Sequence, residues 1–278
     1  MSTVEGDDEQ DLTRKQRREQ ARAQRRALEE AEAAGAARRK RLIQLGSVTG
    51  AVVVVIVVIV VATSGGSSGG GIQKPAPGQK TPTAVTEVTS LLAGVPQAAS
   101  TLGSPSAPVT MQYFGDLECP ICKEFTLGAL PKLIQGDVRA GKLKIEYRNL
   151  ETATREPETF RTQQVAALAA GKQQKAWYYI ELFYHEQGQE SSGYVTEKYL
   201  QELAQQVPGL NLATWTTDRN EPQFTNTITA DAQAANNAGF TGTPSFLIGK
   251  TGEAGRKYEY SSLTDPSGFE AAINSLLK

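Results

Sequence analysis

Asp116-Leu-Glu-Cys-Pro-Ile-Cys-Lys-Glu-Phe125 contains both cysteines of the chain, Cys119 and Cys122, with two residues between them. The run before it, Pro108-Val-Thr-Met-Gln-Tyr-Phe114, alternates Val109, Met111 and Tyr113 and predicts a strand. A turn and then a helix are expected over residues 116–135, so the cysteines sit where a strand gives way to a helix. A helix N-terminus offers free N–H groups and a partial positive charge. A thiolate placed there is stabilised and its pKa falls. One helical turn separates the two sulfurs, close enough for a bond. Cys119 at the cap is expected to be exposed and Cys122 shielded, which makes an attacking thiol and a resolving thiol.

Blander readings of the pair compete with this one. Half a zinc site would need further ligands, but the chain has no third cysteine and a single histidine, His185. A purely structural disulfide across so small a loop gains little loop entropy. The position after a strand and at a helix start favours redox chemistry.

Outward from the motif, Lys142-Leu-Lys-Ile-Glu-Tyr-Arg148 puts Leu143, Ile145 and Tyr147 on one face of a second strand, completing a strand–helix–strand unit. Helical patterns follow over 157–170, 173–186, 196–206, 211–220 and 222–238, with Gly239 as a C-terminal stop. Short strands return at 245–248 and 257–261, and residues 266–277 close as a helix. Residues 84–92 carry only a weak pattern. Pro244 in Thr241-Gly-Thr-Pro-Ser-Phe-Leu-Ile248 must begin its strand or lie on an edge, because proline cannot donate to a ladder. The plan is α/β with a helical insertion.

The first third reads differently. Residues 1–45 hold 11 Lys/Arg and 9 Asp/Glu and no apolar stripe, a solvated tail. Residues 42–62 carry no charge and include Ala51-Val-Val-Val-Val-Ile-Val-Val-Ile-Val-Val-Ala62, enough to cross a bilayer as a helix. Arg38-Arg39-Lys40-Arg41 directly precedes that run, which by the positive-inside rule places the N-terminus in the cytoplasm. A cleaved signal peptide is the rival reading, but 41 residues ahead of the apolar run exceed its usual short basic region. Ser64-Gly-Gly-Ser-Ser-Gly-Gly-Gly71 and Pro75, Pro77 and Pro82 make a spacer. The expected domains are a cytoplasmic charged tail (1–41), a transmembrane signal anchor (42–63), a flexible linker (64–88) and a globular domain (89–278) with its insertion at about 151–239. With 29 Lys+Arg against 30 Asp+Glu, the net charge of −1 argues against nucleic-acid binding.

Phe114-Gly-Asp-Leu-Glu-Cys-Pro-Ile-Cys122, the Gly242-Thr-Pro-Ser-Phe246 turn, the helical block between them and the lead-in Leu102-Gly-Ser-Pro-Ser-Ala-Pro-Val109 together resemble the thioredoxin superfamily, specifically its DsbA-like, membrane-anchored thiol–disulfide oxidoreductases. The resemblance implies a thioredoxin-like fold with a helical insertion. It implies Cys119 as nucleophile, Cys122 as resolving thiol, and Pro244 as a cis-proline facing the pair. Thr243 would align an extended client segment, and Pro120 and Ile121 would tune the redox potential. No cofactor and no metal are implied. The partners would be extracytoplasmic client proteins with thiols and a membrane redox partner that recycles the pair.

Two departures qualify it. Ile121 stands where strongly oxidising members carry histidine, and Asp116, Glu118 and Glu124 would raise a thiolate's pKa if close. A less extreme oxidant, nearer an isomerase, is expected. Tyr113 stands six residues before Cys119, where many relatives bury an acid, which leaves Asp116 as the nearest candidate proton acceptor. The competing functions are a non-catalytic scaffold of the same fold and a dedicated thiol reductase. Trp177, Tyr178, Phe183, Tyr184 and Trp215 are expected in the core, His185 at the surface, and Arg148, Arg155 and Arg161 as solvated charges.

Overall fold

A computed structural model of the protein describes Ile72 and residues 81–278. The charged tail 1–41, the expected span 42–63 and most of the expected linker lie outside the described residues. Among the described residues no helix is long and apolar enough to cross a membrane.

The sheet has six strands in the order β1-β2-β4-β3-β5-β6: β1 (Gln97–Ala98), β2 (Thr101–Leu102), β3 (Val109–Gly115), β4 (Leu143–Asn149), β5 (Ser245–Lys250) and β6 (Arg256–Tyr258). Strand β3 lies at the centre, parallel to β4 from Val109↔Leu143 to Gly115↔Asn149 and antiparallel to β5. A strand covered on both faces must be apolar on both, and Tyr113 and Phe114, consecutive residues, are both fully buried. The end of β3 therefore delivers the cysteine motif from the most constrained strand of the domain.

Helices α1 (Thr83–Leu92), α2 (Pro120–Leu127), α3 (Ala129–Leu133), α4 (Pro157–Lys172), α5 (Ala176–His185), α6 (Glu197–Gln206), α7 (Leu212–Asp218), α8 (Gln223–Asn237) and α9 (Ser267–Leu276) accompany the sheet. Helices α4 to α8 form the insertion between β4 and β5. Helix α5 is apolar nearly all round and packs against α1, α2, α4 and α6. Trp177, Phe183, Tyr184 and Trp215 are buried and Tyr178 half-buried, in keeping with a core role.

Several expectations change. The folded domain begins at Thr83, inside the stretch expected as linker, because Ala84, Val85, Val88 and Leu92 bury one face of α1. The single helix expected over 116–135 is two helices followed by one π-turn, Ile134–Val138. Gly128 makes the break. The Leu263 carbonyl accepts the Ala129 N–H at 2.9 Å, and a Cβ at Gly128 would stand 2.5 Å from the Glu124 oxygen and 2.7 Å from that of Leu263. Strand β6 ends at Tyr258 rather than 261, and the β1–β2 hairpin is additional, being too short for any alternation to register in the sequence. Arg148 is not simply solvated. Its Nε lies 2.7 Å from the buried Asp231 carboxylate, which also accepts the Asn149 main-chain N–H at 2.9 Å and so ties α8 to β4.

Candidate active site

Cys119 is the N-cap of α2, extended in backbone, with Pro120 next. Its sulfur accepts the Cys122 main-chain N–H at 3.4 Å. Across the sequence, it contacts the Thr243 carbonyl at 3.4 Å, where the Thr243–Pro244 peptide bond is cis. The structure thus brings Cys119, Cys122, Thr243 and Pro244 together, while Pro120 and Ile121 face solvent, Ile121 being 44% exposed. Both cysteines are free thiols.

The two thiols differ as a nucleophile and its partner should. Hydrogen bonding from the Cys122 thiol, then from the Thr243 side chain and the N–H groups of Cys122 and Ile121, outweighs burial and lowers the Cys119 pKa to about 6. Burial, reinforced by the hydrogen bond and charge of Cys119, pushes the Cys122 thiol well up. One expectation is corrected. Cys119 is not exposed at its cap position but only 5% accessible, because the cis-proline loop lies over it. The acidic residues Asp116, Glu118 and Glu124 do not govern it, and its pKa falls.

Asp116 shows where one of those carboxylates goes. Fully buried, it accepts the main-chain N–H groups of Glu118, Thr152, Ala153 and Thr154 at 2.9–3.0 Å and the Thr154 hydroxyl at 2.6 Å. Five donors occupy the group, so it braces the motif against the loop after β4. The Thr152 and Thr243 hydroxyls meet at 2.5 Å, carrying the brace on to the cis-proline loop. Glu118 is buried too, and burial raises its pKa.

A family model described as thioredoxin matches residues 97–274. The chain belongs to the thioredoxin family. The probable disulfide bond formation protein D of Bacillus anthracis is 22% identical over 154 residues, spanning 53% of this chain and 68% of that protein. Disulfide bond formation protein D of Bacillus subtilis (strain 168) is 24% identical over 152 residues, spanning 53% of this chain and 66% of its own length. The crystal structure of oxidised BdbD from Bacillus subtilis aligns with a TM-score of 0.55 at 21% identity, over 66% of this chain and 97% of that one. Wolbachia pipientis alpha-DsbA1 aligns at 0.52 with 20% identity, over 64% and 89%. At these identities the structures establish a fold of DsbA type, a thioredoxin core with a helical insertion.

Within that thioredoxin frame, Tyr113 clusters with two other buried phenols, Tyr147 and Tyr184. Its hydroxyl meets the Thr126 and Tyr184 hydroxyls at 3.3 Å and the Cys122 carbonyl at 3.4 Å; Tyr147 meets Tyr184 at 3.3 Å, and Tyr184 donates to the Asp116 carbonyl at 3.1 Å. Burial raises all three pKa values, so they stay neutral. They supply fixed dipoles beneath Cys122, not a base. Sequence reasoning missed the site roles of Tyr184, Thr152, Gln187 and Tyr260, the last an exposed ring beside Phe246. They come from the insertion, the loop after β4 and the segment after β6, and no local pattern marks them.

Proposed function

We propose that this protein is an extracytoplasmic, membrane-tethered enzyme that forms or isomerises disulfides in secreted proteins through Cys119 and Cys122. It is a thiol–disulfide oxidoreductase, in keeping with relatives named for disulfide bond formation. The observation that carries the proposal is the unequal pair: an attacking sulfur ionising near pH 6 over a buried partner pushed well above its ordinary value, both beside Thr243 and Pro244.

In the oxidising direction a client thiolate attacks the Cys119 sulfur of the disulfide-bonded enzyme. The Cys119–Cys122 bond breaks and Cys122 leaves with the electron pair and takes a proton. A second client thiolate attacks the client sulfur of the mixed disulfide and releases Cys119 as a thiolate. The client gains one disulfide and the enzyme two electrons. A low pKa makes Cys119 a good leaving group and stabilises the reduced enzyme, which raises the oxidising power of the pair. A membrane redox partner then accepts the two electrons. In isomerisation, reduced Cys119 attacks a client disulfide and frees one client thiolate. Another client thiolate then attacks the client sulfur of the mixed disulfide, forms the new client disulfide and releases Cys119 as a thiolate, while attack by Cys122 instead would release a reduced client.

A groove of about 440 Å³, lined by residues 239–246 and 257–260, runs beside the cis-proline loop and would seat an extended client next to Thr243. Ile121 offers no charge to the thiolate. Stabilisation then rests on neutral donors alone, which supports a milder oxidant than members with thiol pKa near about 3.5. The anchor at 42–63 would hold the domain outside the membrane with the charged tail in the cytoplasm.

Equilibration of the Cys119–Cys122 pair with glutathione tests the proposal. The expected reduction potential lies between about −120 and −180 mV. A value near about −270 mV would reverse the electron flow to a reductase, and a pair that failed to exchange would leave only a scaffold.

A further inference from the structure

Gln187 lies two residues beyond the end of α5, at the mouth of the helical insertion. Its side-chain amide donates to the Leu117 carbonyl at 2.6 Å and to the Cys119 carbonyl at 3.2 Å. Its own main-chain carbonyl accepts the Lys123 ammonium at 3.4 Å. One residue of the insertion therefore grips the cysteine loop at three points: before Cys119, at Cys119, and one turn into α2. Asp116 holds the same loop from the opposite direction, so the backbone from 116 to 119 is fixed at both ends.

We infer that Gln187 is a positioning residue for the Cys119 thiolate, and that through it the helical insertion governs the reactivity of the pair. The inference rests on the thiol–disulfide reading of the site. The donors that stabilise the thiolate are the Cys122 thiol, the Thr243 side chain and the N–H groups of Cys122 and Ile121. Their aim at the sulfur depends on where residues 117–119 stand. Without Gln187 the Leu117 carbonyl loses its side-chain donor, and the Cys119 carbonyl keeps only its helical bond from the Lys123 N–H at 3.1 Å. The loop then relaxes and the N–H groups lose their alignment. The amide also presents its hydrogens toward the motif, a dipole that favours negative charge there. Both effects act in one direction, raising the Cys119 pKa when Gln187 is removed.

The test is a pH titration of Cys119 in the reduced full-length chain, read by thiolate absorbance or by alkylation rate with mass detection. Gln187→Met keeps the length of the side chain and removes its donors. Its Cys119 midpoint is expected to rise by about one unit, a tenfold loss of thiolate below the pKa. Gln173→Ala is the control. Gln173 makes the same kind of contact inside the insertion, donating to the Asn211 carbonyl at 3.1 Å and accepting the Asn211 N–H at 2.8 Å. Its loss should lower the melting temperature and leave the Cys119 midpoint in place. Should Gln187→Met fail to fold, Gln187→Asn keeps the amide but is too short for both carbonyls, and an intermediate shift is expected. A midpoint within about 0.2 units of the parent in the folded Gln187 variants, or an equal shift in Gln173→Ala, would overturn the inference. Glutathione exchange of the parent, run in parallel, separates the two readings. A Gln187 shift in a chain that does not exchange would sink the oxidoreductase reading and leave the positioning role standing.

Discussion

At the residue scale, two buried acids show how differently burial treats a carboxylate. Asp116 has its oxygens filled by donors. Glu181, in α5, is fully buried, and neither of its oxygens has a hydrogen-bond partner among the described residues. Burial alone pushes its pKa up to about 8. The sign of the consequence is fixed. An unfolded glutamate ionises near its ordinary value, while the folded chain keeps the proton. Stability is therefore full below about pH 4.5 and falls as pH rises to about 8, by roughly 1.4 kcal/mol per unit. A Glu181→Gln variant has nothing to titrate at this position. Melting curves should show the variant matching the parent near pH 4 and exceeding it at pH 8, and parallel curves across that range would count against a protonated Glu181. Cys119 runs the other way. Its depressed pKa favours the reduced fold most above the ordinary thiol range, and the gain is lost as pH falls through about 6.

At the scale of elements, the break between α2 and α3 is set by close approach. The chain at Gly128 passes under the loop at Leu263 with no room for a side chain. Gly128→Ala should force either α2 or that loop to move, and overpacking of this kind costs about 1–3 kcal/mol. Because α2 carries Cys122 and is capped by Cys119, the variant should lose urea resistance and also slow alkylation of Cys119. Unchanged unfolding midpoints would mean the break tolerates a Cβ. Glycine here answers a long-range contact, which explains why a helical pattern alone predicts an unbroken helix over 116–135. Arg148 and Asp231 follow the same logic: a charge that reads as solvated along its strand finds its partner far along the chain, in α8.

At the scale of the molecule, the folded domain follows a run without charge and a glycine-rich spacer. If residues 42–63 anchor the chain with its tail inside, a membrane-impermeant maleimide should label reduced Cys119 in intact cells, and external protease should release the domain. Labelling only after lysis would place the domain on the other side. Such a tether would matter to the chemistry, because disulfides persist outside the cytoplasm.

Local spacing along the chain accounts for one part of this protein. The Cys-Pro-Ile-Cys run after an alternating strand, the strand at Leu143, Ile145 and Tyr147, the block of helices, and the Thr-Pro turn were all legible, since each depends on residues a few positions apart. The α/β plan with its helical insertion and the cysteine pair followed from these, and the thioredoxin plan from the resemblance that those motifs carry. Packing settled the other part. Cys119 is covered rather than exposed because Thr243, 124 positions away, folds over it. Asp116 became a brace because the loop at 152–154 turns its N–H groups inward. Gln187 reached the site because α5 packs against α2. In each case the partner lies tens of residues distant, and hydrogen-bond donors and burial are properties of the packed chain, which no periodicity encodes.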